Sequence, residues 1–193
     1  MREVFIHDVV TLGFLIPFSF LSLAEVFFHY TVYPLFLTHA IIFHMTFDLL
    51  WIHYQPRIIT SFHSLIKLHH LVVLSLLVYP LFRPFDARLT AISGLIEFDT
   101  SLLLLRRLFR KSRIFNRLYM TSNLVLRVYY VTLLTIVYWH YFKYENFWMR
   151  LHIMSAQAFI NIFSYAICVL TYTKEVKKYL DWSSIPLLVK MGK

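Results

Sequence analysis

The sequence predicts an all-helical protein that crosses a membrane six times. Three observations support this. Hydrophobic residues make up 59% of the 193 residues and charged ones only 15%, against about 25% charged in an ordinary soluble domain. The apolar residues fall into six stretches, each about the 20 residues a spanning helix needs. The polar residues inside those stretches recur at helical spacing. A water-facing surface cannot be built from this inventory, and 19 phenylalanines with 13 tyrosines exclude a disordered chain.

The first stretch, 9–28, has no small-residue cleavage site behind it and carries Pro17 and Glu25, so it reads as a retained span. The second, 34–51, holds His39, His44 and Asp48. The third, 63–82, brings His63, Lys67 and the pair His69-His70. The fourth, 89–105, contains Ser93, Glu97, Asp99 and Ser101 and runs into Arg106-Arg107. The fifth, 118–142, contains Asn123, Arg127 and Tyr130. The sixth, 148–172, carries Gln157, Asn161, Ser164 and Cys168. Length and the absence of alternating, turn-bounded segments favour helices over strands. No linker or repeat interrupts the chain. Residues 1–173 therefore form one six-helix membrane domain, and 174–193 a short basic cytoplasmic tail. A lone cysteine, Cys168, allows no internal disulfide.

The net charge of +9 reads as a record of topology rather than of nucleic-acid binding, because cytoplasmic loops collect Lys and Arg. With the N-terminus inside, 14 of the 19 cations fall on the cytoplasmic side and 4 (Arg83, Arg88, Lys143, Arg150) on the other, with Arg127 within a span. Both termini are thus expected in the cytoplasm. The run from Arg106 to Arg113 is an orientation signal and a candidate contact for anionic headgroups.

Ionisable groups at membrane depth cost about 2.5–3.5 kcal/mol each and are expected to face the bundle interior. At 1.5 Å per residue, His70 lies about 10 Å, Arg127 about 13 Å, Glu97 about 12 Å and Asp48 about 5 Å from the cytoplasmic ends of their spans. They converge on one half of the membrane. His44 and Asp48 share a helical face, as do His63, Lys67 and His70, then Ser93, Glu97 and Ser101, and then Asn123, Arg127 and Tyr130. The expected picture is a polar pocket open to the cytoplasmic leaflet, in which Glu97 and Arg127 neutralise one another. Asn123, Ser101, Gln157 and Asn161 also suit plain interhelical hydrogen bonding. His140 and His152 suit interfacial packing, and Glu25 and His29 a water-facing outer end.

A buried imidazole suits general-base chemistry or acyl acceptance. His69 and His70 are the catalytic candidates, with Asp48 and Glu97 to orient them. Arg127 is the candidate anchor for a lipid head or an oxyanion, with Lys67, Asn123 and Asp99 beside it. No metal site or cofactor is expected, since the histidines are too few and wrongly spaced for a di-iron cluster. The implied partners are the bilayer and a long-chain lipid. A transport role would use similar groups, but three glycines and no Gly/Pro-broken paired spans speak against it.

His63 ahead of His69-His70, then Glu97-Phe-Asp-Thr-Ser leading to Arg106-Arg107, then Asn123-Leu-Val-Leu-Arg127, occur in an order that resembles the TLC-domain family of six-span membrane proteins, which includes the ceramide synthases. The likeness runs from about 34 to 172. It implies a barrel-like six-helix bundle around a lipid-sized cavity and residence in the endoplasmic reticulum. In the synthase branch the His pair serves acyl transfer from acyl-CoA to a long-chain base, so acyl-CoA is the co-substrate implied. The further His-Asp of that branch is missing, and no histidine occurs between His70 and His140. The chain looks closer to the smaller members concerned with membrane lipid composition. The resemblance thus implies acyl transfer to an amphiphilic lipid or, alternatively, non-catalytic lipid binding that regulates membrane composition.

Overall fold

In hydrocarbon every backbone N–H and C=O must be satisfied within the chain, and a helix does this within one segment. The computed structural model describes residues 2–29, 34–58 and 62–190, and among these there is no strand. The helices are α1 (Arg2–Phe28), α2 (Pro34–Tyr54), α3 (His63–Phe82), α4 (Arg88–Gly94), α5 (Glu97–Leu108), α6 (Arg113–Leu124), α7 (Val131–Tyr141) and α8 (Phe147–Lys190). A π-helical segment, Val125–Tyr130, joins α6 to α7.

Five rods are long and apolar enough to cross a membrane: Arg2–Phe28, Leu35–Tyr54, His63–Phe82, Arg113–Tyr144 and Phe147–Lys177. They mark the chain as a multi-pass membrane protein. Large apolar side chains point outward, such as Phe43, Phe82 and Trp148, while Asp8, Glu25, Asp99, Asn123 and Arg127 are buried. This inversion of the soluble pattern is what a hydrocarbon solvent selects.

The fourth apolar stretch differs from expectation, because it is divided between α4 and α5. At the joint the amides of Leu95, Ile96, Phe98 and Asp99 bond carbonyls three residues back, which tightens the rod locally to 3₁₀ geometry. Gly94 sits just before the joint. A Cβ there would lie 2.5 Å from the Phe18 ring and 2.8 Å from Oγ of Ser22, so only glycine lets α4 approach α1 this closely. α8 runs from Phe147 to Lys190 and so extends into the basic tail.

α1 packs against α4 and α5, α2 against α3, α3 against α8, α8 against α7 and α6, and α6 against α5. Apolar contacts fix these neighbours. Phe18, Leu37, Ile41, Leu77 and Ala91 bring α1 to α4 together. Tyr79, Tyr138, Phe142 and Ile153 close the end where α3, α7 and α8 meet.

Candidate functional site

The helices enclose a cavity of about 730 Å³, within the usual range for a ligand site. Its wall changes character along its length. Arg57, Arg107, Arg110 and Lys174 line one end. His7, His44, Asp48, His69, His70, Glu97 and Arg127 line the waist. Leu76, Tyr138, Phe142 and Ile153 line the far end. Along α3 the lining runs from Ile66 to Pro80, about 21 Å of rise.

Asp48 of α2 holds the waist together. Its Oδ2 lies 2.9 Å from Nε2 of His70 on α3, and its Oδ1 2.6 Å from Nε2 of His7 on α1. His70 Nδ1 donates to the carbonyl of Ile66 at 2.8 Å, so both of its nitrogens are engaged. His7 Nδ1 lies 3.4 Å from Oδ1 of Asp8, whose Oδ2 meets Nε of Arg107 at 3.2 Å. The His44–Asp48 pairing expected from helical spacing does not form. Instead His44 stacks on Phe14 at 4.5 Å, and Asp48 turns to imidazoles on other helices.

His69 is placed differently from its neighbour. One residue further along the chain means about 100° of rotation on a helix, and the ring stacks on Phe163 of α8 with centroids 4.3 Å apart. It lines the cavity, and its Nδ1 is buried with no hydrogen-bond partner.

The expected Glu97–Arg127 ion pair is replaced by another. Arg127 Nε donates to Oδ2 of Asp99 at 2.6 Å. Asp99 also accepts from Ser122 at 2.6 Å and from Asn123 at 3.1 Å. The reason is rotational. Two residues along α5, about 200° of turn, point Asp99 at α6 and leave Glu97 on the cavity wall. The π segment shifts the helical phase by a residue and turns Arg127 inward. Arg127 Nη2 donates to Thr100 Oγ1 at 3.2 Å, and Thr100 and Glu97, three residues apart on α5, both line the cavity.

Of the predicted site residues, the cavity wall unites His69, His70, Glu97, Asp48 and Arg127. Asp99 and Asn123 are fully buried behind it as supports for Arg127. Lys67 lies off the cavity, 3.4 Å from Nδ1 of His53. His63 bonds the carbonyl of Ile52 at 3.0 Å and ties α3 to α2. Gln157 and Asn161 bond Thr135 across the α7–α8 contact. Glu25, expected in water, is buried and paired with Arg88.

His7 lies ahead of the apolar stretch 9–28 and so is not among the residues that stretch offers. The available signal was His7 and Thr11 at helical spacing on one face, and both line the cavity. In the sequence Arg107 reads as part of an orientation signal, a candidate headgroup contact and the basic end of a motif, and nothing there points to its pairing with Asp8. Compared with protein-family models, curated proteins and solved structures, the chain matches none.

Proposed function

We propose that this chain is a lipid-handling membrane protein of TLC type. It is read as a six-rod barrel with both ends on the cytoplasmic side, acting in the endoplasmic reticulum and transferring an acyl group from acyl-CoA to an amphiphilic lipid. The neighbour order α1, α2, α3, α8, α6–α7, α4–α5 and back to α1 agrees with a closed ring. In that ring the jointed α4–α5 pair is the sixth span, tolerated at membrane depth because it borders a cavity. The cationic end coincides with the side that the positive-inside rule assigns to the cytoplasm. The gradient from cations through ionisable groups to aromatic and aliphatic side chains suits a ligand with a charged head and a long tail. The cavity's run of about 21 Å exceeds the half-thickness of the hydrocarbon core, about 15 Å.

The observation that carries acyl transfer is His69, a residue of the cavity wall whose ring makes no hydrogen bond among the described residues. In this reading His69 takes the proton of the acceptor's amine or hydroxyl as that group attacks the thioester carbonyl. The new C–N or C–O bond forms, the C–S bond breaks, and the thiolate leaves with the proton. Arg127 presents N–H groups to the developing oxyanion, and the charge of the His70 ring, held between Asp48 and the Ile66 carbonyl, lies beside it. Arg127 spends two of its five donors on Asp99 and Thr100 and keeps the others.

The test is incubation of the purified protein with acyl-CoA and long-chain amines or lysolipids, read by mass spectrometry. An acylated product lost in His69→Ala is expected. No product, or full product from the His69→Ala/His70→Ala double variant, overturns the proposal.

A second reading, lipid binding without turnover, is favoured by one observation. No carboxylate orients His69, whereas an activated base ordinarily has such a partner. This reading expects co-purifying lipid that is lost in Arg127→Ala and no acylated product. A protein that emerges free of lipid counts against it.

A further inference from the structure

His7 takes no part in the chemistry above, yet it is bonded into the site. Its side chain is buried, and both ring nitrogens face carboxylates: Asp48 at 2.6 Å and Asp8 at 3.4 Å. The ring edge also meets Trp51 at 5.2 Å, which fixes its plane. His70 is in the same position, with one nitrogen on a carbonyl that can only accept and the other on Asp48. A neutral imidazole has one N–H and one lone pair. In either ring, the neutral form turns a lone pair toward an oxygen lone pair.

We propose that His7, Asp48 and His70 form a charged triad in which both imidazoles hold a second proton, with Asp48 as the shared acceptor. His7 is then a positioning residue that acts on the cavity through Asp48. Four ring N–H groups are satisfied by four acceptors: the Ile66 carbonyl, the two oxygens of Asp48, and Asp8. With Arg107 beside Asp8, the cluster carries one net positive charge. Glu97 is the carboxylate that answers it. It lines the same cavity as His70. Among the described residues no cation is within ion-pair distance of Glu97. Other ionisable groups on the same cavity wall are His44 on α2, His69 on α3, Arg57 in the turn after α2, Arg127 in the π segment, and Arg110 and Lys174 at the cationic end. The consequence is a division of labour in the histidine pair. His70 is a fixed, charged donor that cannot act as a base, and His69 is the imidazole left to do so.

The functional meaning of the triad rests on the lipid-chemistry reading, but its test reads protonation and not turnover, so either can fail alone. The full-length protein, labelled with ¹⁵N-histidine and placed in lipid nanodiscs, is examined by NMR of the ring nitrogens as a function of pH. His7→Gln and His70→Gln assign the signals. Two imidazolium rings at neutral pH, at His7 and His70, are expected. Asp48→Asn converts both to neutral rings, and Asp48→Glu restores them. Where Asp48→Asn does not fold, His7→Gln gives a second reading. Removing one positive charge makes His70 bind its proton on the order of tenfold more tightly, because the two sites titrate as a coupled pair. Neutral rings at pH 7 in the parent protein overturn the proposal, as does a His70 titration unmoved by His7→Gln.

Discussion

Oδ2 of Asp99 lies 2.6 Å from Nε of Arg127, and both side chains are almost wholly removed from solvent. This pair, with Ser122 and Asn123 on the same carboxylate, locks α5 to the α6–π–α7 rod. Breaking a buried pair leaves one uncompensated charge and costs about 3–5 kcal/mol, whereas replacing both partners with apolar groups is far cheaper. Arg127→Leu is therefore expected to lower thermal stability sharply in detergent or nanodiscs. Arg127→Leu with Asp99→Leu is expected to recover most of the loss. A double variant as unstable as the single one contradicts a role for uncompensated charge.

Gly94 faces the ring of Phe18 at the tightened joint. Gly94→Ala overpacks this contact, and overpacking costs about 1–3 kcal/mol. Adding Phe18→Leu, which removes the ring atoms in the way, is expected to restore part of the stability. Thermal unfolding of the four proteins of this double-mutant cycle measures the coupling.

Thr135 receives hydrogen bonds from Gln157 and Asn161 across α7 and α8. Hydrogen bonds between helices in a bilayer average about 0.6 kcal/mol. Thr135→Val is expected to shift the unfolding midpoint slightly, well below the effect of Arg127→Leu. A loss as large as that of Arg127→Leu would place this contact among the main supports of the bundle.

Sidedness is checked with thiols. Cys168 is buried, so a membrane-impermeant maleimide is expected to leave the parent protein unlabelled. Phe85 and Arg110 are exposed at opposite ends of the bundle. Arg110→Cys is expected to react from the cytoplasmic side and Phe85→Cys from the other. Labelling of both from one side contradicts the assigned topology.

The solvent of this protein and several of the polar residues that line its cavity were legible in the chain itself. Composition alone says that the outside is hydrocarbon, because too few charges exist to coat a soluble surface. The cost of burying ionisable groups points to Asp48, His69, His70, Glu97 and Arg127, which meet on one cavity wall, but equally to Asp99, which lies behind it, and to Lys67, which lies off it. Partner choice was decided by tertiary structure. Asp48 and His44 share a helical face, but Asp48 reaches His7 and His70 on neighbouring rods, because the distance between helices outweighs spacing within one. Glu97 and Asp99 are two residues apart, and only the rotation of α5 against the π segment assigns the guanidinium to Asp99. Periodicity and depth locate a polar group along and around its own helix. The axial phase of the neighbouring helix, shifted here by a 3₁₀ joint and a π turn, determines which group it meets.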